Sequence, residues 1–193
     1  MKREMENDEK NKKEEERNEI CIYNKVIEDI SSIGSLENVS VLHLHSNNLK
    51  SLKGFPTSFT LLELNLSSNL LDDNSDLHNL SQLINLKYLD MSANSIKSLV
   101  NFPSLYSLEI FIISFNQLET LDGLDCFKSL QKLDVRGNLL YNVIGFNVIE
   151  SLRDLKEIEL SNEDGRYTNP INNYPTEIMK IFEIGYDGYI DRK

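Results

Sequence analysis

Apolar residues recur along this chain at a spacing that fits neither one long helix nor an ordinary strand. In the stretch 86–96, Leu86, Leu89, Met91 and Ile96 bracket a single Asn94. Leu89 and Met91 share one face of a short strand because successive strand side chains alternate, and the chain then turns at the asparagine. Aligning the sequence on that residue gives Asn47, Asn69, Asn94, Asn116 and Asn138, in steps of 22, 25, 22 and 22 residues. The apolar offsets are kept in each unit: Val39, Leu42, Leu44 and Leu49; Leu61, Leu64, Leu66 and Leu71; Leu108, Phe111, Ile113 and Leu118; Leu130, Leu133, Val135 and Leu140. A degenerate first unit carries Ile20, Ile22 and Ile27, with Lys25 in the asparagine's place, which marks an end of the array.

A fixed period of this size predicts a stack in which each unit buries its apolar face only against its neighbours, so that the ends need caps. Each unit contributes a strand of about three residues, and parallel stacking at roughly 4.8 Å gives seven strands a concave sheet on the order of 29 Å long. The asparagine sits where the chain leaves the strand, and its amide can satisfy turn groups of its own and the next unit. Two units run three residues longer and carry helical signals on the convex side. Asn74-Ser75-Asp76 precedes Leu77, Leu80 and Leu83, and Phe146, Ile149 and Leu152 repeat the spacing. After Leu160 the next asparagine position falls on Glu163, so the solenoid is expected to occupy 18–162 and a cap 163–193. In that cap Pro175, Ile178, Ile181 and Phe182 predict a short amphipathic helix. Residues 1–17, with seven acids, six bases and no apolar period, predict a disordered charged tail.

The pattern LxxLxLxxNxL, with a second half in which Leu99, Phe102 and Leu105 or Leu121, Leu124 and Phe127 recur, resembles the leucine-rich repeat family over 19–187. The 22-residue period is similar to the class that includes the type-1 protein phosphatase regulatory repeat subunit, the axonemal dynein repeat light chain and the spliceosomal A-prime subunit. Asn169-Pro170 and Tyr174 resemble the cap of that class, although residues 163–168 are inserted before them. The resemblance implies an α/β solenoid with a short parallel sheet on the concave face, 3-10 and short helices on the convex face, and a helical C-terminal cap. It also implies a non-catalytic scaffold or regulatory subunit, with a phosphatase catalytic subunit, a cilium or motor protein, or a nuclear splicing factor as the partner.

Composition narrows this further. The formal charge is −11, of which the tail carries 6 − 7 = −1, and an acidic body repels phosphate backbones, so no nucleic-acid partner is expected. Cys21 and Cys126 fall in different units, which suits a reducing compartment. No apolar run approaches the roughly 18 residues of a membrane span, and the first residues lack a signal-peptide core. A monomeric cytoplasmic protein is the expectation, with cilium, cytoskeleton or nucleus as alternatives. No phosphate-binding glycine loop, nucleophile elbow or zinc-protease motif is present, so neither an enzyme nor a cofactor is expected.

Function is then expected where the repeat leaves side chains unconstrained, at the outward strand positions. Their central column reads Cys21, His43, Asn65, Asp90, Ile112, Asp134 and Glu159. Tyr88, Ile110, Ile112 and Phe115 form an apolar and aromatic patch at mid-arc, in the manner of interface anchors. Glu63, Asp90 and Asp134 form an acidic rim suited to a basic partner, and Arg136 stands in the adjoining column. Cys21, His43 and His45 offer zinc-type ligands. The two histidines flank Leu44 about 7 Å apart on one face, however, which reads as a polar contact surface rather than a metal site.

Overall fold

The computed structural model describes residues 18–28, 30–141, 145–160 and 169, together with the backbone of 182–184 and 189–192. The expected disordered tail lies outside these residues. Seven three-residue strands form one parallel sheet in sequence order: β1 (Glu19–Cys21), β2 (Val41–His43), β3 (Glu63–Asn65), β4 (Tyr88–Asp90), β5 (Ile110–Ile112), β6 (Lys132–Asp134) and β7 (Glu157–Glu159). The middle residue of each strand pairs in unbroken register from Ile20 through Leu42, Leu64, Leu89, Phe111 and Leu133 to Ile158. From Leu42 onward that row is fully buried. So is the next inward row of Leu44, Leu66, Met91, Ile113, Val135 and Leu160. The repeat therefore builds two parallel ribs of one continuous core. Phe102, Phe111 and Phe127 thicken it at mid-arc, with ring centroids 5.2 to 5.6 Å apart.

One asparagine per unit ties the ribs together. Asn116 Nδ2 donates to Ile113 O of its own unit at 3.1 Å and to Met91 O of the preceding unit at 2.9 Å, while its Oδ1 accepts the Ile96 N–H at 3.0 Å. Asn69, Asn94 and Asn138 make the same three connections. The series does not stop at Asn138. Asn169 Nδ2 donates to Val135 O at 2.8 Å and to Leu160 O at 3.1 Å, and its Oδ1 accepts the Leu140 N–H at 3.4 Å. The step from Asn138 to Asn169 is 31 residues, six more than the long 25-residue unit, which matches the inserted 163–168. The insertion thus displaces the next ladder asparagine to 169, inside the stretch expected to form the cap.

The convex side is built from short 3-10 turns at Ile30–Ile33, Leu77–Gln82, Leu124–Cys126 and Phe146–Ser151. A 3-10 turn repeats every three residues, which eclipses Leu77, Leu80 and Leu83 onto one inward line. Asp76 does not cap its turn through its side chain. It has φ 55°, and its carboxylate instead accepts the Ser51 hydroxyl of the preceding unit at 2.6 Å. Gly123, at φ 98°, has its α-carbon against the neighbouring unit so closely that a β-carbon would lie 2.2 Å from Leu99 O, and only glycine fits.

At the C-terminal end the described backbone adds two further strands, β8 (Phe182–Ile184) and β9 (Tyr189–Arg192). The hairpin pairs through β9 with β7, antiparallel, and β8 stands at the sheet edge. Phe182, expected on the cap helix, thus begins a strand. Pro175, Ile178 and Ile181, the other expected helix positions, lie outside the described residues.

Removing the Asn116 amide takes the acceptor from the buried Ile96 N–H and one of two asparagine donors from each of Met91 O and Ile113 O. Asn116→Ala is expected to cost about 2–4 kcal/mol in urea denaturation, and Asn169→Ala to destabilise in the same direction. A measured loss below about 0.5 kcal/mol at Asn116 would contradict the ladder's role.

Candidate concave interaction face

The strand register fixes which outward side chains stand together. Tyr88 lies opposite Ile110, Asp90 opposite Ile112, and Ile112 opposite Asp134. Tyr88, Ile110 and Ile112 are partly exposed, whereas Phe111 between the isoleucines is buried. The core does not use these three side chains, so their apolar area remains on the concave surface.

Phe115 borders the patch in an unusual conformation. The residue preceding each asparagine takes the left-handed region, and Ser46, Ser68 and Ala93 fill it with small side chains. Phe115 does so at φ 55° with a full aromatic ring, a conformation that costs a bulky residue of order 1–3 kcal/mol. The ring lies across the corresponding residue of the next unit, Gly137, where a β-carbon would sit 2.8 Å from Phe115 Cδ1. It remains 43% exposed.

Two of the three acids of the expected rim flank this patch. Glu63 pairs in register with Tyr88, and Asp90 with Asn65. The Tyr88 phenol is pushed above its ordinary pKa by burial first, and then by the charges of Asp90, Glu63 and Asp134. The three carboxylates thus add a negative potential, partly offset by Lys132, to a phenol already disfavoured as an anion by its burial.

Asp134 belongs to a different arrangement. It is only 3% exposed, and Arg136 grips it through Nε at 2.9 Å and Nη2 at 2.7 Å, so it does not project as a rim acid. Arg136 Nη2 also lies 2.9 Å from Glu159 Oε2, and Lys132 Nζ lies 2.7 Å from both Glu157 and Glu159. Burial opposes the Lys132 charge, but its bonds to Glu157 and Glu159 outweigh this and raise its pKa above the ordinary lysine value. The β6–β7 end of the concave face is thus a closed ionic network.

At the opposite end His45 stacks on Tyr23, with centroids 5.3 Å apart and planes 9° from parallel, and meets His43 edge-on at 6.0 Å. His43 turns to Glu19 instead, Nε2 to Oε1 at 3.3 Å. Cys21 donates its thiol to the same Glu19 oxygen at 2.9 Å.

A second apolar surface lies outside the strands. Phe59, Ile84 and Tyr106 are each strongly exposed, and each stands two residues before the first leucine of its unit, Leu61, Leu86 and Leu108. They make an apolar row along one edge of the stack. The residues that follow them stitch that edge: Asn85 Nδ2 donates to Phe59 O and Ser107 Oγ to Ile84 O, both at 2.8 Å. The offset is visible in the sequence but lies outside the three-residue strand, where inward-outward alternation carries no signal.

Truncating Lys132 removes the partner of a buried carboxylate. Lys132→Met is expected to cost about 1–3 kcal/mol, a buried-pair penalty reduced by the lysine's partial exposure. Because the folded-state pKa of Lys132 is raised, this contribution is present below the free-lysine value and is lost only as pH rises through the higher one. Lys87→Met breaks an exposed pair with Glu109 and is expected to change stability by less than about 0.5 kcal/mol. Urea melts of both variants at neutral pH make the comparison.

No protein-family model matches the sequence, and no curated protein matches it. Solved structures do. An internalin from Listeria monocytogenes superposes with a TM-score of 0.63 at 22% identity, covering 80% of this chain and 43% of that one. A leucine-rich repeat protein of Leptospira interrogans superposes with a TM-score of 0.55 at 28% identity, covering 69% of this chain and 34% of that one. The chain spans less than half the length of either structure. Taken with the parallel strands and the asparagine ladder, these likenesses place its architecture as a leucine-rich repeat solenoid.

Proposed function

We propose that this chain is a non-catalytic protein-interaction module that receives a partner protein on its concave sheet, centred on Tyr88, Ile110 and Ile112. The observation that carries this reading is the adjacency of those three partly exposed apolar side chains in register on a face where the core requires none of them. Apolar and aromatic surface of this kind stabilises a complex when it is desolvated, and such anchors carry most of an interface's energy. Glu63 and Asp90 beside it favour a partner that brings an arginine or lysine next to an apolar side chain.

The repeat period's resemblance to regulatory and axonemal repeat proteins gives the finer proposal. The partner is a phosphatase catalytic subunit, the setting is intracellular, and the chain acts as a scaffold or regulatory subunit. A cilium or motor protein and a splicing factor are the other two partner classes.

The test is binding of purified type-1 phosphatase catalytic subunit to the full chain and to three variants. Ile112→Arg, which puts a charge into the centre of the patch, is expected to weaken binding by about 30-fold or more, as at a hot spot of about 2 kcal/mol. Charge reversal at Glu63 and Asp90 is expected to slow association most at low salt. Ile84→Arg on the edge row should bind as the parent does. Equal binding by the parent and the Ile112→Arg variant would exclude the concave face. No binding by the parent would exclude this phosphatase as the partner, and the same variants then test an axonemal motor protein or a splicing factor.

A further inference from the structure

The N-terminal end of the concave face holds a second kind of site. Glu19 and Cys21 are two apart on β1, so they share its outward face, and Cys21 stands opposite His43 of β2 in register. Glu19, Cys21 and His43 each offer one ligand atom, and all three atoms lie within 4.8 Å of one another. The Cys21 Sγ to Glu19 Oε1 distance is 2.9 Å and the His43 Nε2 to Glu19 Oε1 distance is 3.3 Å. A tetrahedral ion with bonds of about 2.0–2.3 Å sets its ligands about 3.3–3.8 Å apart, so the two Glu19 edges must open slightly or hold while the Cys21–His43 edge closes by at most about 1 Å.

We propose that Glu19, Cys21 and His43 bind one thiophilic divalent transition-metal ion of the zinc type. The ligand set argues the metal class. One thiolate, one imidazole and one carboxylate suit zinc and its neighbours, whereas magnesium and calcium require oxygen ligands throughout. In the metal-free arrangement a single carboxylate oxygen holds the Cys21 thiol and the His43 ring. Binding replaces these contacts: the thiol proton and the Nε2 proton directed at Glu19 leave to solvent, the thiolate sulfur and the freed Nε2 lone pair turn to the ion, and the bound neutral imidazole carries its one proton on Nδ1. The Glu19 side chain is 51% exposed and that of His43 29%, so an ion has an open approach and its fourth position faces solvent. The site would join the outermost parallel strand to its neighbour, in the one unit that has Lys25 where the others have asparagine.

Neither His45 nor Cys126 belongs to the set. His45 is engaged with Tyr23, and Cys126 lies on a convex turn with its thiol directed to Pro103 O. Cobalt(II) titration of the metal-free full chain, in a non-thiol reductant, therefore gives a separable readout. One equivalent is expected to produce the near-ultraviolet thiolate-to-cobalt band together with the intense visible bands of a tetrahedral ion, and stoichiometric zinc should displace both. Cys21→Ser and His43→Ala should lose these bands while keeping the parent's circular dichroism, because both residues lie on the surface of the sheet. Cys126→Ser should retain them. The proposal is overturned if the parent shows no thiolate band at one equivalent of cobalt, or if the band persists in folded Cys21→Ser. Loss of the band in Cys126→Ser would overturn it equally.

Discussion

A chain that makes a strand of three residues and then turns, unit after unit, buries backbone N–H and carbonyl groups that no ladder partner reaches. In this protein one asparagine amide per unit meets that demand, and it meets it backwards. The Oδ1 of Asn69 accepts from Leu49, and its Nδ2 donates to Leu44 O, both groups of the preceding unit. The direction of the bonding explains both ends of the array. The turn of the first described unit is satisfied from the second, because Asn47 reaches back to the Lys25 N–H and to Ile22 O. Lys25 is tolerated for that reason. At the other end the Leu140 N–H still requires an acceptor and Val135 O a second donor, and Asn169 supplies them across a longer excursion of chain.

With the turns satisfied from within, the outward columns vary in residue type without disturbing the ribs, although Asn65, Asp90 and Asp134 each still accept the backbone N–H two residues on. The exception shows how the constraint reaches the surface. The left-handed position before each asparagine accepts serine or alanine in most units, and Phe115 occupies it only because the following unit offers Gly137 under the ring. A large residue there is linked to the loss of a β-carbon one unit on. Neighbouring repeats are therefore coupled through sterics as well as through hydrogen bonds.

The fold was legible in the sequence because the apolar period and the asparagine are direct consequences of this bonding. The strands fall where the alternation of Leu89 and Met91 or Phe111 and Ile113 places them, and the outward columns appear in the expected order. What the period could not carry was anything that breaks it. Asn169 was hidden by an insertion of irregular length, and the β8–β9 hairpin lies where no repeat signal remains. Column position likewise gives a residue's address without its partner. Asp134 and Asp90 share a column, yet Arg136 two residues on clamps the first and no comparable cation follows the second. Cys21 and His43 were read with His45, but side-chain rotation set His45 against Tyr23 and brought Glu19 in its place.

The charges on the concave face then decide where a partner gains most. At the β6–β7 end, Lys132 and Arg136 already pair with Asp134, Glu157 and Glu159, leaving a formal balance of 2 − 3 = −1. A partner landing there would have to desolvate paired ions, a cost that new contacts seldom recover. Over β3–β5 the surface offers apolar area worth roughly 25 cal/mol per Å² removed from water, under a negative potential felt by Tyr88. Attraction and burial therefore coincide in the middle of the arc, while the ionic network stiffens the end that the hairpin closes. For the proposed partner, the acidic surplus of the chain would favour a basic residue, placed beside Ile110 and Ile112.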